Sequence, residues 1–413
     1  MEPRGFDLPP PRVDLRALPP PLRTSDPDSL AQRTFRIRVP RILEEVADQN
    51  PFPPEIQRAL ADLREEILHG VIRPLAEPAP DRPLWDALSG PYLGASWQDV
   101  PWYWAEAFLY RRLLETTRYF RIGPWYGVDP FWRRKEAELR GGLRALEALL
   151  SELPEDPEDR FRHLFQASLW GNRFDLSLPE VVEEARAAPG GDPHTRLLAD
   201  DTGPVWAFLR ESCGLRIAMV LDNVGRELLA DLALVDFLLE EGIAREVVLH
   251  VKWHPFFVSD ATPLDVLATL AAVTEAGGSP GALGERLQAG LREGRVRLTA
   301  HWFFVTSLAY FEMPRDLEAE LAATDLVVLK GDANYRRLVG DVWWPPTTPL
   351  ERAAAYFPAP FVVLRTLKSE VVVGLQAEVV DRVGALDPEW RMRGRWGVIQ
   401  ARLAHPLPPG ADS

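Results

Sequence analysis

Cysteine is almost missing: Cys213 is the only one in 413 residues, so no disulfide can form within the chain. That usage fits a reducing, cytoplasmic setting. Cys213 itself, in "ESCGLRI", precedes an apolar run without any nucleophile context and reads as a small buried side chain. No apolar run approaches the length of a bilayer span, and the start "MEPRGFDLPPPRVDLRALPPPL" has no signal-peptide core, so no membrane partner is expected. Positive charge is also short. With 47 Lys and Arg against 61 Asp and Glu the net charge is −14, which argues against nucleic acid or an anionic surface as the main partner. An anionic ligand has to be met by local cations. Neither phosphate-cradling glycine pattern, G-x-G-x-x-G after a strand or G-x-x-x-x-G-K-[ST], is present, which disfavours nucleotide-fuelled or dinucleotide-using chemistry.

Two further shortages are informative about position. Only four lysines occur, Lys135, Lys252, Lys330 and Lys368, and only four asparagines, Asn50, Asn172, Asn223 and Asn334. A chain that uses arginine by default keeps lysine where a compact, flexible point charge serves better than a planar fork.

What is present divides into three parts. Residues 1–30 are proline-rich and read as an extended arm, on the body or loose in solvent. Residues 31–190 read as a helical N-terminal domain, since "PPEIQRALADLREEILHGVI", "PWYWAEAFLYRRLLETTRYF" and "PFWRRKEAELRGGLRALEALLSEL" space apolar residues at three and four. The tryptophans there (Trp85, Trp97, Trp102, Trp104, Trp125, Trp132) read as packing anchors. Residues 191–413 form an α/β segment. Five short apolar runs, "RIAMVLDN", "EVVLHVKW", "RVRLTAHW", "DLVVLKGD" and "FVVLRTLK", alternate with helical stretches, the pattern of a mostly parallel sheet covered on both faces.

Ligands of such sheets bind beyond the carboxyl ends of the strands. The run ends place Asp222 and Asn223, then His250, Lys252 and His254, then Lys330 and Asp332, then Arg365 and Lys368 along that edge. Asp222 and Asn223 offer hard oxygen ligands suited to Mg²⁺ or Mn²⁺, or else cap the next helix. Asp260, in "HPFFVSDATPLDVL", is either a third oxygen ligand or another cap beside Thr262. "HVKWH" lacks the helix and the Glu of a zincin, so His250 and His254 read as histidines with local hydrogen bonds.

Taken in order, "LDNVGRELLADLALVDFLL", "HVKWHPFFVSDAT", "LVVLKGDANYRRLVGD" and "LRTLK" resemble the motifs of the metal-dependent damage-control phosphatases. The resemblance is to the subfamily marked by Arg-Thr-x-Lys, here Arg365 to Lys368, some members of which are also described as acidic-residue or protein-glutamate O-methyltransferases. "SLWGNRFDLSL" (168–178), with Asn172, looks like a further family stretch. The resemblance implies a Rossmann-like, mostly parallel α/β domain beside an N-terminal helical domain. It also implies metal ligation by Asp222, Asn223 and Asp260, with Mn²⁺, Mg²⁺, Co²⁺ or Ni²⁺ as the ion. Substrate contact is carried onto the same three residues and onto Glu227, Asp332, Ala333, Asn334, Tyr335, Arg336 and Lys368. Ala333 departs from the bulkier apolar residue of relatives and leaves sugar specificity open.

The expected reaction is hydrolysis of a phosphate monoester on a small sugar phosphate. Asp332 orients a water or Asp222 itself attacks, and the sequence does not separate the two. Glu227 and Asn334 are expected to bond substrate hydroxyls, while Lys368 and Arg336 neutralise transferring charge. The first alternative is an S-adenosylmethionine-dependent carboxyl methyltransferase, whose glycine-rich loop after the first strand is missing here. The second is a non-catalytic binder of phosphorylated metabolites. Oligomeric state is not read from the sequence.

Overall fold

The computed structural model describes residues 8–171 and 196–404. Asn172 and the rest of the 172–178 stretch lie outside the described residues. Seven strands form one sheet: β1 (Leu197–Asp200), β2 (Leu215–Val220), β3 (Ala244–Val251), β4 (Val296–Ala300), β5 (Leu326–Lys330), β6 (Phe361–Thr366) and β7 (Gly397–Arg402). Their order is β1-β7-β6-β5-β2-β3-β4. The five apolar runs are the five mutually parallel strands, β2 to β6. β7 runs antiparallel to β6, and β1 pairs parallel with β7.

Burial explains why those runs have no alternation. Ile217 and Met219 of β2 face one core while Ala218 and Val220 face the other, and Leu326 and Val328 of β5 oppose Val327 and Leu329 in the same way. A strand covered on both sides has no polar face to show. The helices before residue 171 supply much of that cover. Phe35, Trp97 and Phe108 share a core with Val327, Leu329 and Val363, and Phe161 and Phe165 share the opposite one with Met219 and Leu249. Most of the named tryptophans pack as expected, but Trp132 is exposed at 41%, under the Arg133 guanidinium. The described part of the arm lies on the body, with Leu22 N donating to Asp341 O and Trp102 N to Leu22 O.

From β2 the chain moves outward to β3 and β4, then returns to the other side of β2 as β5. Connections leaving β2 and β5 therefore diverge, and a crevice opens between their carboxyl ends. Among the described residues no helix is long and apolar enough to cross a membrane.

Candidate active site

The crevice is a cleft of about 340 Å³ lined by Asp222, Asn223, Glu227, Ser259, Asp260, Asp332, Ala333, Arg336 and Lys368, with helical residues above. Asp222 and Asn223 follow β2 directly, and neither caps the next helix: that position belongs to Gly225, at φ +75°. Nor does Asp260 cap. Thr262 does, in a reciprocal capping box with Asp265. The loops after β2 and β3 are stitched together by Val224 N to Ser259 O and Ala261 N to Asp222 O, both 2.8 Å, and by pairing of Asn223 with Asp260. The second loop reaches this position only through left-handed backbone at Phe257 (φ +44°) and Val258 (φ +69°). For a β-branched residue that conformation costs about 1–2 kcal/mol, so the surrounding contacts over-determine it.

Buried side chains on these loops concentrate negative charge. Asn223 Nδ2 donates to Asp222 Oδ2 (2.7 Å) and Glu227 Oε2 (3.0 Å), and Ser259 Oγ donates to Asn223 Oδ1 (2.6 Å). Burial above all, then the charges of Asp260 and Glu227, push the Asp222 carboxyl well above the usual carboxylate range. Asp260 is raised as well, by burial first, against the opposing pull of Lys252. Lys252 Nζ lies 3.1 Å from Asp260 Oδ2 and donates to Leu221 O.

"KGDANYRR" is not a turn but the start of a helix, Gly331–Val339, which leaves β5 at once. This sorts the expected substrate residues by face. Positions 332, 333 and 336 fall on one side of a 3.6-residue helix, and 334 and 335 on the other. Asp332, Ala333 and Arg336 accordingly line the cleft. Asn334 and Tyr335 turn into the core, which corrects the expectation of direct contact. Asn334 accepts from Tyr310 Oη and donates to Lys330 O, while Tyr335 Oη bonds Gln400 and accepts from Val373 N. Arg336 reaches the cleft already committed to Asp341 and Glu106, its guanidinium stacked 3.7 Å from the Trp102 ring.

Gly331 has φ +82°, and a Cβ there would overlap Asp222 Oδ2 and Cγ. The close approach therefore serves the Asp222 carboxylate. Asp332 Oδ1 accepts from Arg365 Nε (2.8 Å), Lys368 N and Ser369 Oγ (both 3.1 Å). Burial raises its pKa, but the Arg365 and Arg336 charges and these bonds outweigh that, so the net shift is downward and Asp332 stays ionised. Arg365, fully buried and stacked on Tyr335, ties the strand end to Asp332. Lys368 is exposed at the rim, and among the described residues no carboxylate lies within 4 Å of its ammonium.

All four lysines gather around this site, not three. Lys330 is buried between Glu227 Oε1 and Asp231 Oδ1, each 3.2 Å away, and also donates to Ser168 O. Lys135, from the helix Trp132–Ser151, holds the Asp260 carbonyl at 2.9 Å together with Asp129 and Asp265. Glu227 reaches the cleft with both oxygens already bonded inside the protein. The sequence reading misses Arg38, Trp102, Glu106, Arg134 and Glu138 of the helical layer, which close the cleft from above. Arg38 ends a π-helical turn, Thr34–Arg38, a frequent device at functional sites, but one arginine among many gives no signal.

Three other expectations need adjusting. His250 packs edge-on against Phe304 with neither ring nitrogen hydrogen-bonded, and burial lowers its pKa to about 3, so it is a neutral core side chain. His254 does bond locally, Nδ1 to Pro255 O. Cys213 is exposed, because it lies in the turn before β2 and not on the strand.

Two buried carboxylates and a carboxamide, all oxygen donors and mutually repelling when ionised, form a set that a hard divalent cation would relieve. Among the described residues no three His, Cys, Asp or Glu side chains gather in metal-binding geometry, so such a site depends on Asn223 as its third donor. The Asn223 oxygen faces Ser259, and ligation through it calls for the amide to turn over.

Comparison with known proteins gives one consistent answer. Residues 34–383 match the family model described as the damage-control phosphatase ARMT1-like domain. A damage-control phosphatase ARMT1 from Danio rerio is 32% identical over 430 residues, covering 91% of this chain and 95% of the relative. The protein of that name from Mus musculus is 32% identical, covering 92% and 97%, and the one from Homo sapiens 30%, covering 94% and 99%. A crystal structure of a DUF89 family protein from Pyrococcus horikoshii superposes with a TM-score of 0.50 at 16% identity, over 90% of this chain and 96% of that one, a likeness of fold. The chain belongs to the ARMT1-like damage-control phosphatase family.

Proposed function

We propose that this phosphatase uses a divalent metal, Mn²⁺ or Mg²⁺ by preference and Co²⁺ or Ni²⁺ as substitutes, to hydrolyse phosphate monoesters of small sugar phosphates such as fructose 1-phosphate or damaged sugar phosphates. The observation that carries this is the convergence of Asp222, Asn223, Asp260 and Lys368 on one cleft at the switch point of the sheet. Asp222, Asn223 and Asp260 are the proposed ligands. When bound, the cation supplies charge to a phosphoryl oxygen and acidifies water.

The chain's own residues do the rest. Lys368 brings an unpaired, movable ammonium to the rim, where it neutralises the equatorial oxygens of the transferring group. Asp332 fixes the backbone of Lys368 through its Oδ1, so its part is to position as well as to face the substrate. Glu227 keeps Asn223 in place beneath the cleft. Arg336 forms a fixed wall, since its two carboxylate partners consume its charge.

Phosphate release from fructose 1-phosphate and other sugar phosphates, screened across the four metals, tests the proposal. Asp222→Ala and Asp260→Ala are each expected to abolish turnover, and full activity in either would sink the reading. Lys368→Ala is expected to lower kcat by roughly 10²-fold with little change in metal affinity, as for loss of one transition-state donor. An unchanged kcat would remove Lys368 from the chemistry.

A further inference from the structure

A second cavity, of about 470 Å³, lies behind the active-site cleft, with Arg336 in the wall common to both. Its sides are largely apolar and aromatic, from Leu18 of the arm, Tyr92, Trp104 and Phe311. In that lining sits Arg337, only 2% exposed. Its Nε donates to Leu308 O (2.8 Å) and its Nη2 to Phe303 O (2.9 Å), and the guanidinium lies 3.9 Å over the Phe303 ring. Nη1 is buried with no hydrogen-bond partner, and among the described residues no carboxylate comes within 4 Å of this cation. The contrast with its neighbour is sharp. Arg336 has two carboxylates, whereas Arg337 has carbonyls, a ring and one free N–H. A guanidinium does not lose its proton in a protein, so the charge stays, and burying it without an anion is costly.

We infer that this cavity is a binding site for a small amphipathic carboxylate, its anionic head on Arg337 Nη1 and its apolar body against Tyr92, Trp104 and Phe311. The volume falls in the range of small-molecule sites. A single negative charge fits better than a phosphate dianion. One N–H is on offer, and Glu312 and Asp341 line the same cavity, where they would repel a second charge. Glu312 Oε2 already accepts from Ala309 N, which leaves the Arg337 charge for the ligand. The site is separate from the metal and phosphate cleft and does not depend on the reaction proposed for it.

The test is a titration of 4-fluorophenylacetate with the full chain, followed by ¹⁹F NMR line broadening. Saturable binding to one site with Kd of about 1 mM or tighter is expected. Ser307→Trp, which fills the cavity from a half-buried lining position, should abolish it. Arg337→Gln should weaken it about tenfold, the value of one charge-assisted hydrogen bond. Glu312→Gln, which removes a repelling charge and keeps an acceptor for Ala309 N, should tighten it and serves where Arg337→Gln fails to fold. Circular dichroism confirms folding of each variant. The inference is overturned if the wild type shows no saturable binding, if Ser307→Trp binds like the wild type, or if the folded charge variants leave the affinity unchanged.

Discussion

Gly331→Ala is expected to reduce phosphate release by about a hundredfold or more while the chain still folds. The added methyl has to share space with the Asp222 carboxylate, since an ideal Cβ at residue 331 overlaps Oδ2 and Cγ and comes 2.9 Å from Oδ1. Neither side can yield cheaply. The glycine begins the helix Gly331–Val339 directly from the central strand β5, and Asp222 is the buried residue that ends the neighbouring strand connection. Alanine at φ +82° adds about 1–2 kcal/mol of backbone strain, a tolerable fraction of an ordinary folding free energy. The larger consequence falls on catalysis, because displacing a reacting group by about 1 Å costs on the order of 10²-fold. The measurement is kcat with fructose 1-phosphate and Mn²⁺ beside a melting curve of the same preparation. Wild-type kcat in a folded Gly331→Ala protein would mean that the position of Asp222 is not critical.

Lys330→Met is expected to be the most destabilising single change at the site, by about 3–5 kcal/mol. Lys330 is fully buried and neutralises Glu227 and Asp231, and methionine leaves both carboxylates without their cation. The deficit should depend on pH. In the wild type burial pushes Asp231 up to about 6, with Lys330 pulling it down and Glu227 pushing it further up. A carboxyl raised above its unfolded value binds its proton more tightly in the folded state. Stability is therefore lost as pH rises from the unfolded value through the folded one. Without Lys330 the folded pKa climbs higher, so the loss grows and extends to higher pH. Urea unfolding at pH 5.5, 6.5 and 7.5 should find Lys330→Met closest to wild type at the lowest pH. A deficit independent of pH would show that Glu227 and Asp231 are not left as unpaired buried charges.

Both predictions concern residues whose scarcity or setting stands out in the sequence, yet their roles differ from what the sequence suggests. Lys330 ends an apolar run and reads as an edge charge, but its ammonium points back into the protein beneath Asn223 and Glu227. Gly331 reads as a place for close approach, and the group approached is a carboxylate from another strand. Asn334 and Tyr335 follow the same pattern. As part of a turn both would face a ligand, and as part of a helix they face the core. A run of polar residues after a strand does not distinguish these cases, because the helical period has too few residues to declare itself before Leu338 and Val339.

The sequence by itself determined the five parallel strands, the edge on which the site lies and the identity of its oxygen donors. Continuous apolar runs report burial on both faces, and polar residues can follow such a run only where the strand leaves the core. Tertiary structure decided which of those residues share a cleft, because strand order, not chain order, brings Asp222 beside Asp332. It decided the helical ceiling of Arg38, Trp102 and Glu106, whose contacts cross more than a hundred residues and leave no local period. It also placed Lys135 on the Asp260 carbonyl and Arg337 in a cavity without an anion, since charge pairing is a property of distance in the folded chain and not of composition.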